Sequence, residues 1–168
     1  MSRTPILSPA RVRRTVTRLA YEVRERNRGA ETLVVFGLKT RGRALAGLLA
    51  EALEDVEGHE IPVHDLSLTG FRDDDDQSPP TPSAASPDVT GRDVLVVDDV
   101  LFTGRTARAA LDAVVAHGRP RSIQLAVLVD RGHREVPVHP DFVGRVIPTK
   151  HNERVVVRPD VPIAVLVD

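Results

Sequence analysis

Between Ser8 and Gly29, Val12, Val16, Leu19, Ala20 and Val23 recur at helical spacing and predict an amphipathic helix. Ser8 followed by Pro9 suits its N-cap and first turn, and Gly29 suits its stop. The apolar run Thr32–Phe36 predicts a buried strand. Gly37-Leu38-Lys39-Thr40-Arg41-Gly42 comes next, then a second helix carrying Ala44, Leu45, Leu48, Leu49 and Leu53. A further strand is predicted over Ile61–Leu68. Asp73–Pro87 reads DDDDQSPPTPSAASP, has no periodicity, and predicts a mobile loop. Val94–Val97 is continuously apolar, as a strand covered on both faces should be. A helix over Thr106–His117, a strand over Ile123–Val129 and short extended pieces near 142–147, 154–158 and 163–167 complete the pattern.

Strands alternating with helices predict an α/β fold around a mainly parallel sheet flanked by helices. Read as one domain over 1–168, the chain is long enough for a hydrophobic core. Reading 73–87 as a linker between two domains is the weaker choice, because neither half alone would bury a convincing sheet.

Composition narrows the function classes. The formal net charge of −1 gives no global pull toward DNA or a membrane, and no apolar run approaches the length of a membrane span or resembles a signal peptide. The absence of cysteine excludes disulfides and thiolate metal sites and suits a cytoplasmic setting. Charge is unevenly placed. Eight arginines fall in residues 1–30 against Glu22 and Glu25, so a local basic surface is expected there.

The chemistry concentrates in Val94–Thr106, VLVVDDVLFTGRT. Ligands of open α/β sheets bind beyond the carboxyl ends of the strands, and this strand delivers Asp98 and Asp99 to that edge. A loop with Thr103, Gly104 and Thr106 then enters a helix, whose N-terminal N–H groups and dipole favour an anion. Two carboxylates repel a phosphate but accept hydrogen bonds from a vicinal diol, so the pair of features fits a ribose 5-phosphate. A bare Asp-Asp would read as two solvated aspartates with Thr106 as N-cap; the attached loop argues against that. Lys39-Thr40-Arg41-Gly42, also between a strand and a helix, is a second candidate anion loop, suited to pyrophosphate.

The Val94–Thr106 string resembles the phosphoribosyl pyrophosphate (PRPP) signature of type I phosphoribosyltransferases. The resemblance implies that fold, with a small hood region. It also implies ribose contacts from Asp98 and Asp99, a 5-phosphate loop of Val100, Leu101, Phe102, Thr103, Gly104, Arg105 and Thr106, and pyrophosphate contacts from Lys39, Thr40, Arg41 and Gly42. Several further segments resemble the PyrR family, pyrimidine operon regulatory proteins with uracil phosphoribosyltransferase activity. They are Thr17-Arg18, Glu25-Arg26-Asn27, Arg72-Asp73-Asp74, Ala126–Glu135 with its D-R-G-H-R-E string, and Ile147-Pro148-Thr149.

That resemblance implies transfer of the phosphoribosyl group of PRPP to uracil, giving UMP and pyrophosphate, with Mg2+ carried by substrate and water. Asp130, Arg131 and Val155 would lie at the base and hood, Arg72 at a flexible active-site loop over 73–87. It also implies UMP- or UTP-promoted binding to leader mRNA and a homodimer or higher assembly. Arg11, Arg14 and Arg18 share a helix face with Thr17 nearby, and Arg145, Lys150 and Arg154 extend the candidate RNA surface. Some positions depart from the family pattern. Ser67-Leu68-Thr69-Gly70-Phe71-Arg72 stands where D-I-T-L-Y-R is common, Tyr21 where histidine is frequent, and His139 where arginine is frequent. A salvage enzyme without RNA regulation, or one acting on a purine, remains open on sequence alone.

Overall fold

The computed structural model describes residues 4–74, 85–158 and 165–167; residues 75–84, most of the expected 73–87 loop, lie outside the described residues. In chain order the elements are β1 (Thr4–Leu7), α1 (Pro9–Asn27), β2 (Leu33–Gly37), α2 (Lys39–Glu57), β3 (Val63–Asp65), β4 (Asp93–Leu101), α3 (Arg105–Val115), β5 (Ser122–Asp130), β6 (Phe142–Val146), β7 (Val155–Val157) and β8 (Val165–Val167).

Five strands form a wholly parallel sheet in the order β3-β2-β4-β5-β6. Its strands are apolar on both faces because both are covered. Leu33, Val35, Leu95, Val97, Ala126 and Leu128 point toward α1 and α2. Their neighbours Val34, Phe36, Val94, Val96, Leu125 and Val127 pack with Ala107, Ala110, Ala113 and Val114 of α3. The chain on either side of 75–84 supplies adjacent strands, β2 and β4, of this one sheet. The hood is a separate antiparallel sheet, β1-β8-β7, built from the two ends of the described chain.

Several boundaries differ from the sequence expectation for identifiable reasons. β1 was not predicted: it has four residues, one of them Pro5, and forms only by pairing with β8. The expected strand over 61–68 shrinks to Val63–Asp65, an edge strand paired on one side with β2. α1 stops as expected at Gly29, which has φ 117° and whose N–H bonds Arg24 O at 3.0 Å, with Arg28 (φ 53°) already left-handed at the C-cap before it. Its start is as predicted, with Ser8 Oγ accepting from Arg11 N–H. α3 begins at Arg105, one residue before the expected Thr106, and ends at Val115 instead of His117, because Gly104 (φ 89°) takes the N-cap position. Among the described residues, no helix is long and apolar enough to cross a membrane.

Candidate active site

The site is built outward from the end of β4. Asp98 is the next-to-last fully inward residue of that strand, 8% exposed, and its Oδ1 accepts the Asp99 N–H at 2.9 Å. Burial, and then the neighbouring Asp99 charge, push the Asp98 carboxyl well above the usual carboxylate range; Lys39 opposes the shift. Asp99 is half-buried beside it. The two acids stand side by side, the buried Asp98 holding the Asp99 N–H as a donor and facing a like charge in place of an ion-pair partner.

β4 runs on to Leu101, so Val100 and Leu101, the start of the expected 5-phosphate loop, are strand residues paired with Val129 and Asp130. The loop itself is Phe102-Thr103-Gly104. Gly104 is required twice over: its φ is left-handed, and a Cβ there would lie 3.0 Å from the Val136 side chain. Thr103 Oγ1 accepts from Arg105 N–H, and Thr106 is half-buried in the first turn of α3. Arg105 directs its guanidinium to Glu135 and Asp73, at 2.7 and 2.8 Å, and Arg108 joins it on Asp73 at 2.6 Å. A cavity of about 220 Å³ lined by Arg72, Asp73, Asp74, Arg105 and Thr106 opens beside the loop. Arg72 itself bonds Asp74 at 3.2 Å.

Lys39-Thr40-Arg41-Gly42 is the first turn of α2, not a free loop. Lys39 sits at φ 55°, a conformation that costs an ordinary residue roughly 1–2 kcal/mol. Gly42 is buried against β4, where a Cβ would fall 2.7 Å from Val97 O and 3.3 Å from Asp98 Cα. Leu38 N–H also donates to Val97 O at 2.9 Å. This close approach brings Lys39 within electrostatic reach of Asp98. Arg41 is exposed and absent from the cavity that Lys39 and Thr40 line; Arg43 is there in its place.

The D-R-G-H-R-E segment behaves differently from the expectation that Asp130 and Arg131 read a base. Arg131 is 7% exposed, stacks on Phe102 with its guanidinium carbon 3.9 Å from the ring centre, and donates to Thr149 Oγ1, Lys150 O and His151 O. Its side chain ties the end of β5 to the hood and is not free to reach a base. Asp130 accepts from Arg134 at 2.6 Å and Gly132 N–H at 3.0 Å. Burial works against its ionisation, yet Arg134 and that N–H hold it below the usual carboxylate range. Arg134 also donates to Phe102 O, and Glu135 N–H and Val136 N–H to Thr103 O. The segment braces the 5-phosphate loop from behind. Sequence reasoning missed Arg134 and Glu135 in that role; the i, i+4 pairing of Asp130 with Arg134 was the available signal. Val155 begins hood strand β7, paired with Val167, and its side chain is buried in the core.

The proposed RNA residues divide. Arg11, Arg14, Arg145, Lys150 and Arg154 are exposed. Arg18 is engaged, donating to Glu22 at 2.7 Å and to Val143 O and Gly144 O at 3.2 and 2.6 Å. It pins α1 to β6 and caps carbonyls of that edge strand. Thr17 Oγ1 bonds back to Arg13 O.

The phosphoribosyl transferase domain profile matches residues 4–161. The bifunctional protein PyrR of Brevibacillus brevis is 50% identical over 157 residues, covering 91% of this chain and 88% of that one. The pyrimidine operon regulatory protein of Lactococcus lactis subsp. cremoris is 49% identical over 158 residues, covering 94% and 91%. Among solved structures, a hypoxanthine-guanine phosphoribosyltransferase of Bacillus anthracis superposes with a TM-score of 0.74 at 18% identity, over 98% of this chain and 96% of that one. The hypoxanthine phosphoribosyltransferase of Trypanosoma cruzi gives 0.75 at 18% identity, over 97% and 95%. At that identity the structural likeness shows the fold alone.

The titration of Asp98 generates a stability test. Its folded-state pKa is raised, so the native protein holds a proton that the unfolded chain has lost, and stability falls as pH rises from the ordinary carboxylate range through the raised value. Asp98→Asn, which keeps the acceptor for Asp99 N–H, should melt higher than the parent at the alkaline side of that window. The difference should vanish as pH falls into the ordinary carboxylate range. Thermal melts of both proteins across pH check it; equal melting temperatures throughout contradict the buried, unpaired carboxylate.

Proposed function

The chain belongs to the phosphoribosyl transferase family and, within it, to the PyrR group, and on that premise we propose that it converts uracil and PRPP to UMP and pyrophosphate and binds leader mRNA of pyrimidine genes under the control of uridine nucleotides. The observation that carries the first half is the convergence at the end of β4. Asp98 and Asp99 face a diol, the first turn of α3 offers N–H groups to a 5-phosphate, and Lys39 stands beside Asp98 where a leaving pyrophosphate would start.

In this reading the ribose hydroxyls donate to Asp98 and Asp99, relieving the buried acceptor and fixing the ring. The turn Thr103–Thr106 holds the other end, so the anomeric carbon is immobilised between two grips. Lys39 offsets charge that grows on the departing pyrophosphate. The base lies under the hood near Val155, with the Arg131–Phe102 stack closing the floor. Asp98 and Asp99 are hard oxygen donors of the kind Mg2+ takes, and an ion carried by the substrate would, when bound, neutralise pyrophosphate oxygens. A homodimer or higher assembly belongs to the same proposal.

Two experiments test the two halves. With purified protein, uracil should be phosphoribosylated, and hypoxanthine and guanine should not. Asp98→Asn should lose roughly 1.5–3 kcal/mol of transition-state stabilisation, the worth of a charge-assisted hydrogen bond, or about ten- to a hundredfold in kcat/KM. Activity on a purine alone would replace the uracil assignment.

For the RNA half, leader-transcript binding should strengthen with UMP and weaken with salt. Arg14→Ala and Arg145→Ala should each lower the slope of log affinity against log salt by about 0.7 for a lost single-strand phosphate contact. Arg18→Ala is the wrong probe, because it also unpins α1 from β6. Slopes unchanged in both variants would remove these residues from the interface.

A further inference from the structure

We propose that Arg43 is a further anchor for the pyrophosphate half of the donor, acting with Lys39 in the cleft between α2 and β3; the inference rests on the phosphoribosyltransferase reading of this site. A cavity of about 530 Å³ lies there, lined by Lys39, Thr40, Arg43, Asp65, Leu66 and Ser67. Its chemistry is two cations, two hydroxyls and one carboxylate, on a floor that includes the buried Leu66. Arg43 follows Lys39 by four residues and so shares its face of α2, one turn further along.

The backbone holds Arg43 in place. A Cβ on Gly37 would fall 2.5 Å from Arg43 Cα, so the end of β2 and the start of α2 meet with no side chain between them. The side chain is also aimed. Its Nε faces Asp65 Oδ1 at 3.0 Å, while Asp65 stays 82% exposed. Its two terminal nitrogens meet no acceptor among the described residues. A planar fork with free donors, oriented by a carboxylate at its base, matches adjacent oxygens of a phosphate group, whereas the Lys39 ammonium acts as a point charge.

The order of groups follows the donor's own. Asp98 takes the ribose, Lys39 lies within electrostatic reach of Asp98, and Arg43 lies one helical turn beyond Lys39. A pyrophosphate leaving the anomeric carbon would meet them in that sequence. Ser67 fits the same picture: it lines the cavity and offers a phosphate oxygen a hydroxyl donor. The K-T-R-G string drew attention to Arg41, but the residue facing the cavity with Lys39 is Arg43.

Calorimetric titrations with Mg2+-pyrophosphate and with UMP, on the parent, Arg43→Gln and Arg43→Lys, test this. UMP uses the ribose and 5-phosphate grips but has no pyrophosphate, so it controls for the integrity of the site. Arg43→Gln should weaken pyrophosphate binding about tenfold or more, with Arg43→Lys in between, and UMP binding should not change. The KM for PRPP should rise while the KM for uracil holds. Unchanged pyrophosphate affinity in Arg43→Gln overturns the proposal, as does a parallel loss of pyrophosphate and UMP affinity, which would mark Arg43 as merely structural. Should the parent bind pyrophosphate with this Arg43 dependence but neither UMP nor uracil, the base assignment falls and the role of Arg43 stands. A parent that binds neither ligand overturns both.

Discussion

Two missing Cβ atoms set the geometry on which everything else depends. Gly42 lets the first turn of α2 rest on Val97 O and Asp98 Cα, and Gly104 lets the turn into α3 pass under Val136. A side chain on Gly42 would hold the start of α2 off the end of β4, and one on Gly104 would strain its left-handed backbone and press on Val136. The two helix N-termini would then no longer converge on the same pair of carboxylates. A parallel sheet makes such convergence possible, because every strand ends, and every following helix begins, on one edge. The glycines make it close enough for chemistry.

The electrostatics of β4 differ sharply between its ends. At the amino end, Asp93 is almost fully buried yet satisfied by Arg121, Ser122 and Thr32, and the Arg121 guanidinium above all holds it down to about 2. Nearby, Asn27 and Gln124 bond each other reciprocally. That end is a closed polar network linking α1, β2, β4 and β5. At the carboxyl end, Asp98 is equally buried but finds one backbone N–H and a like-charged neighbour. A buried carboxylate facing a like charge is expected at a site whose partner arrives from outside, where stability is traded for binding. The left-handed Lys39, brought to the same edge by the start of α2, is a second strained feature there.

Much of this was legible in the sequence. Runs such as Val94–Val97 and Leu125–Val129 are apolar at every position because helices cover both faces, and that pointed to the central strands and the α/β class. The diol-and-phosphate reading of Asp98–Thr106 followed from residue types and their order. The hood strand β1 was not legible, since its pairing partner β8 lies at the other end of the chain. Nor were the partners of Arg131, Arg134 and Arg18: a charged side chain on a string says that a cation is present, and not whether it faces solvent, a ligand or a carbonyl. Arg131 turned inward onto Phe102, Arg18 onto the edge of β6, and Arg43 into the cleft where Arg41 was expected. Each is decided by tertiary packing that periodicity does not encode.

If one edge of the sheet grips a ribose 5-phosphate at both ends, a crystal structure with UMP bound should show the 2′- and 3′-hydroxyls within hydrogen-bond distance of Asp98 and Asp99, and the phosphate on the backbone N–H groups between Thr103 and Thr106. A nucleotide bound in another part of the molecule, with both carboxylates untouched, would contradict it.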